Sequence, residues 1–97
     1  METLENMDFK NLNQLILDIA EKFFELRQSR DQLDEDSYLM KVQKAYNSLS
    51  ESEKNLINNE FFYQNYNLWW QGLYSKATFY RYKKGAMMSF LEAFYNE

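Results

Sequence analysis

The sequence predicts an all-α protein of about five helices, and three observations predict it. Pro is absent and Gly occurs only twice in 97 residues, so tight β-turns and long irregular loops have almost no raw material. Apolar residues recur at steps of three and four instead of alternating, which is the period of a helix face. Asp and Ser stand at several points where such runs begin, and their side chains suit the unsatisfied N–H groups of a first helical turn.

The first and longest helix is expected from Asp8, its N-cap, to about Leu33. Phe9, Leu12, Ile16, Ile19, Phe23 and Leu26 keep a heptad spacing until Arg30 interrupts it. Leu15, Ala20 and Phe24 widen the stripe enough to meet more than one neighbour. The acidic stretch from Asp31 to Ser37 lacks the central Gly and terminal Glu of a calcium loop, so it reads as a solvated connection with Asp36 or Ser37 as the next cap. A second helix runs to about Ser48, with Tyr38, Leu39, Val42, Ala45, Tyr46 and Leu49 on one face. Ser50 followed three residues later by Glu53 is a capping-box pattern. It opens a third helix that turns Leu56, Ile57 and Phe61 inward. Tyr63 to Asn67 reads as a connection, and Leu68 to Tyr74 as a short helix and turn punctuated by Gly72. At least one of the adjacent Trp69 and Trp70 is expected in the core, and both in one core is the less favoured arrangement, since neighbours on a helix point about 100° apart. Ser75 then caps a last helix to about Tyr95 that buries Phe79, Tyr82, Ala86, Phe90 and Ala93 or Phe94. Gly85 inside it suggests a close approach by another element. Phe79, Tyr82, Leu56, Ile57 and Leu68 are expected to share one core.

The missing residue types exclude much chemistry. No Cys means no disulfide, thiolate–zinc site or thiol catalysis, and no His means no imidazole base or ligand. Glu51 and Glu53 are paired carboxylates, but first-turn residues that complement a helix dipole explain them better than acid–base catalysis does. No catalytic residue, metal or cofactor is expected. Aromatic residues make up 19% of the chain while mean hydropathy is −0.71. The two agree because Tyr packs as an apolar residue and Asn and Gln are abundant. No apolar run has the length of a membrane span, and no basic-then-apolar leader opens the chain, so a cytoplasmic protein without membrane contact is expected.

Net charge is −4, unevenly spread. Residues 1–60 hold thirteen acids and seven bases, whereas no acid occurs between Phe61 and Leu91. Lys76, Arg81, Lys83 and Lys84 fall inside that window. An acidic front and a locally basic back point to a polyanionic partner. A short helix, a turn and a longer Ser-capped helix form the layout of a helix-turn-helix. In that layout Phe79 and Tyr82 hold the second helix to the domain. Lys76, Thr78, Tyr80 and Arg81 reach base edges, while Ser75, Lys83 and Lys84 anchor phosphates.

Two strings carry a family resemblance: Leu49-Ser-Glu-Ser-Glu-Lys54 with the residues that follow it, and Tyr74-Ser-Lys-Ala-Thr-Phe-Tyr-Arg-Tyr-Lys-Lys84. They resemble region four of bacterial sigma factors, and more closely the sigma-region-four-like phage transcription regulators of the ArpU and RinA type. Leu49, Ser50, Glu53 and Lys54 match the start of the unit, and Ser75, Phe79, Tyr82 and Ala86 match its recognition helix. The chain departs from the pattern at Leu73, where the family carries Gly, and at Trp69, where it often carries a small residue. The composition also resembles that of short proteins of the mycoplasma class. The resemblance covers residues 49–91 and implies a DNA-binding transcription regulator, or a sigma-like accessory factor that also touches RNA polymerase. It divides the chain into a helical extension or brace over residues 1–48 and a helix-turn-helix unit over 49–97. The stripe from Phe9 to Leu26 offers a route to a homodimer. The alternative is a small helical module that binds protein and no DNA, which the net negative charge favours.

Overall fold

The computed structural model describes residues 7–28, 35–63 and 69–95, with the side chains of Glu35 and Asp36 left aside. Every regular element among them is helical. These are α1 (Phe9–Gln28), α2 (Glu35–Asn47), α3 (Glu51–Ile57), which runs on as a π-type turn (Asn58–Phe62), and α4 (Lys76–Tyr95).

The caps form where the sequence puts them. The Asn11 N–H donates to Asp8 Oδ1 at 2.9 Å at the head of α1. Ser50 and Glu53 close the capping box reciprocally: Glu53 N–H donates to Ser50 Oγ, and Ser50 N–H to Glu53 Oε1. Each bond satisfies a donor that would otherwise have no helical partner. At α2 the expectation fails. The helix is already running at Glu35, so Asp36 and Ser37 lie inside its first turn and do not cap it. Asp31, the expected start of the connection before it, lies outside the described residues.

One hydrophobic core serves the whole chain. Leu12, Ile16 and Ile19 of α1 meet Val42 and Ala45 of α2, Leu56 and Ile57 of α3, and Phe90 and Leu91 of α4 in a single cluster. The expected boundary at residue 48 therefore separates helices that share a core. The heptad stripe of α1 is covered within the chain. Leu12 and Ile16 are fully buried, Ile19 and Phe23 nearly so, and Phe9 and Leu26 half-buried. Most of the Phe9–Leu26 stripe is thus occupied by contacts within the chain.

Four further expectations change. Residues 69–73 form a turn and not a short helix, closed by Leu73 N–H and Tyr74 N–H, which both donate to the Trp70 carbonyl at 2.8 and 3.0 Å. Leu68 lies outside the described residues. Away from helical geometry, both indoles reach one ring: Trp70 stacks on Phe79 at 4.5 Å and Trp69 meets it edge-on at 5.9 Å. Tyr82 is 40% exposed, not buried; its hydroxyl shares a hydrogen bond with Ser52 and its ring leans on Tyr74. The buried seventh-position role passes to the next residue, Lys83, and to Met87. Gly85 faces open space, with no atom within 4 Å of where its Cβ would stand, so no element approaches it closely.

Candidate nucleic-acid interface

The first two turns of α4 carry the residues that sequence pattern singles out. Ser75 caps the helix: Thr78 N–H donates to Ser75 Oγ at 3.3 Å, and Ser75 Oγ donates to Thr78 Oγ1 at 3.0 Å. Both hydroxyls are thus partly committed to the cap. At about 100° per residue, the buried positions Phe79, Ala86, Phe90 and Phe94 define the inward side. Ala77, Thr78, Arg81, Lys84 and Gly85 then fall along the outward side, and all are exposed. Lys76 stands at the exposed head of the helix. Lys76, Arg81 and Lys84 form no ion pair with any described residue.

Tyr80 sits between these two sides. It is 42% exposed, and its ring touches Phe9, Trp70 and Phe79 edge-on at 5.4–6.5 Å. Its ring is therefore fixed in place while about two-fifths of the residue remains open to solvent. Trp70, Gln71, Tyr74, Lys76 and Tyr80 line a shallow hollow beside the head of α4.

Lys83 is the member of the set that the structure removes. It is buried and its Nζ lies 2.7 Å from Glu60 Oε1. The Lys83 ammonium also lies 5.4 Å from the ring of Phe9 and 5.3 Å from that of Phe61. A phosphate anchor must reach solvent, so the expectation for Lys83 is corrected: it holds the fold together. The other oxygen of Glu60 accepts from Trp69 Nε1 at 2.6 Å. One carboxylate thus ties together the π-type turn, the turn at 69–73 and α4, and each of its bonds involves a charge.

Glu60 and Trp69 were missed as a polar node. Glu60 is the last acid before the acid-free window, and Lys83 follows Phe79 by four residues and precedes Ala86 by three. That offset places a lysine on the buried side of α4, where it requires a carboxylate partner. The signal was available in the helical phase.

Elsewhere, Phe23, Phe24, Val42, Tyr46 and Phe62 line a groove of 320 Å³ between α1, α2 and the π-type turn, with Arg27 at its edge. Among the described residues no cluster of acids could hold a metal ion. No described helix is long and apolar enough to cross a membrane.

Comparison with protein-family models, curated proteins and solved structures finds no match to the chain. What the site does is therefore argued from its own geometry.

Proposed function

We propose that this chain binds nucleic acid through the first half of α4 and acts as a small transcription regulator or sigma-like accessory factor. One observation carries the reading: three exposed cations, Lys76, Arg81 and Lys84, stand on α4 in a stretch without acidic side chains from Phe61 to Leu91. The nearest preceding acid, Glu60, is turned inward and neutralised by Lys83, so it does not cancel them. Arg81 has the planar fork that can grip a guanine with two hydrogen bonds, whereas Lys84 supplies a point charge for a phosphate. The Thr78 hydroxyl and the first N–H groups of α4 add hydrogen-bond donors at the same end, and Ser75 caps the turn that presents them.

Three cations support weak binding with a shallow salt dependence, a slope near about −3 in log–log form. Recruitment by RNA polymerase or another protein would raise the effective concentration at a site. The test is an electrophoretic shift on random-sequence duplex and single-stranded pools at two salt concentrations. Arg81→Ala should flatten sequence preference, and Lys84→Ala should weaken all sequences about equally and reduce the salt slope. If the wild type shifts no nucleic acid at low salt, the reading is wrong.

A second reading, a module that binds only protein, is favoured by the groove around Phe23, Phe62 and Tyr46, whose lining mixes aromatic and amide side chains, and by the net charge of −4. Pull-down of a protein partner by a chain that binds no nucleic acid would establish it.

A further inference from the structure

We infer that the nucleic acid this surface accepts is single-stranded, with unpaired bases stacking on tyrosines at the head of α4. The inference rests on the nucleic-acid reading above and narrows it. Its first support is the arrangement of rings. Tyr80 lies on one flank of the outward stripe of α4 and Tyr82 on the other, by the helical phase of about 100° per residue. Tyr74 joins them, since it borders the hollow with Tyr80 and leans on Tyr82 at 5.5 Å. Tyr80 and Tyr82 keep about two-fifths of their surface open, and Tyr74 is half-buried.

These rings are held and not floppy. Tyr80 is braced by Phe9 and Trp70, and the Tyr82 hydroxyl by Ser52. A fixed, half-open ring gains stacking contact without losing much rotamer freedom. Lys76 shares the hollow with Tyr74 and Tyr80, so a cation stands beside those rings. Rings with a cation beside them suit a strand whose bases are splayed from its phosphates.

The second support is electrostatic. Duplex binding draws most of its strength from neutralised phosphates, and this surface offers three cations on a chain of net charge −4. Stacking on a ring is independent of net charge and operates only on bases freed from a partner strand. Leu73 is 65% exposed beside the head of the helix, where a duplex backbone would have to seat.

The experiment titrates the full chain with a mixed-sequence, guanine-containing single strand, its complement and the duplex they form, each about fifteen nucleotides long, a length within the usual range of single-strand sites and enough to keep the duplex paired at low salt. Indole emission is the readout, because Trp70 is stacked on Phe79 and lies 6.5 Å from Tyr80. Single strands are expected to bind about tenfold more tightly than the duplex. Tyr74→Leu and Tyr80→Leu should each weaken the single strands about fivefold or more and leave duplex affinity unchanged. Leu keeps apolar bulk, and Tyr74→Leu leaves the Phe9 contact of Tyr80 intact, so a melting curve separates misfolding from lost stacking. Duplex binding equal to or tighter than single-strand binding would overturn this inference and leave the nucleic-acid reading standing. Single-strand binding indifferent to both variants would overturn it too. Absence of binding to all three probes at low salt would remove both readings together.

Discussion

Replacing Lys83 with Met tests whether this lysine stabilises the fold or meets a ligand. The side chains of Lys83 and Glu60 are 11% and 18% exposed, and the ion pair between them is 2.7 Å long. Met keeps the length and apolar contacts with Phe9 and Phe61 but removes the charge. Glu60 would then retain Trp69 Nε1 as its partner and face a largely dry environment as an anion. Losing one partner of a fully buried pair costs about 3–5 kcal/mol; the residual exposure of both groups lowers that here to about 2–4 kcal/mol. For a domain of this size the melting temperature should fall by roughly 10–20 °C. Urea denaturation followed by circular dichroism measures it directly. Glu60→Gln added to Lys83→Met removes the stranded charge, keeps an acceptor for Trp69, and should recover about half of the loss or more. Lys84→Met, one residue away on the exposed side, should change stability by less than about 0.5 kcal/mol. A Lys83→Met chain as stable as the wild type would refute the argument and return Lys83 to the set of possible phosphate contacts.

Other outcomes follow from the same contacts. Phe79 is 2% exposed and stacked on Trp70, so Phe79→Ala should cost about 3–5 kcal/mol, and a melting temperature unchanged by it would show the register of α4 to be wrong. Gly85 is exposed in mid-helix with open space at its Cβ position, so Gly85→Ala should stabilise by about 0.5–1 kcal/mol in a urea titration. Burial, reinforced by Tyr95 and Asp18, raises the Tyr38 phenol above its ordinary pKa of 10.0. The folded state then holds that proton more firmly than the unfolded chain, so the associated stability is present below pH 10.0 and is lost as the pH rises through the higher folded value. Melting curves across that alkaline range should fall more steeply for the wild type than for Tyr38→Phe.

Much of the helical framework is legible in the sequence because it depends on local rules. Asp8, Ser50 with Glu53, and Ser75 each perform the capping their neighbours require. The stripe of α1 and the inward set Leu56, Ile57 and Phe61 follow directly from apolar spacing. What local rules miss is set by distant partners. The span of residues 69–73 has a helical pattern of residue types, yet Glu60 draws the Trp69 indole one way and Phe79 draws the Trp70 ring another, and the chain turns to satisfy both. Tyr82 and Lys83 exchange the expected roles for a related reason. Tyr has a polar end that finds Ser52 at the surface, and Lys83 has a carboxylate waiting inside. Of the residues expected to meet DNA, Thr78, Arg81 and Lys84 are exposed as the helical phase requires, because an outward position needs no partner to specify it, and Lys76 is exposed because it stands at the head of α4.

The π-type turn at Asn58–Phe62 marks where this chain can change its length. The Tyr63 N–H reaches back five residues to the Asn58 carbonyl at 2.8 Å. In an unbroken α-helix, Leu56 and Phe61 would point about 140° apart; the wider turn brings both into the core. Removing Asn59 would shorten that separation to four residues, the step at which an α-helix brings its side chains onto one side. Phe61 and Phe62 would still arrive at the core, and Glu60 would keep its order relative to them. A deletion elsewhere in α1 or α4 would instead swing every later side chain by about a quarter turn. Natural variation in chain length among relatives of this protein should therefore collect at residues 58–62, with the helices on either side held constant.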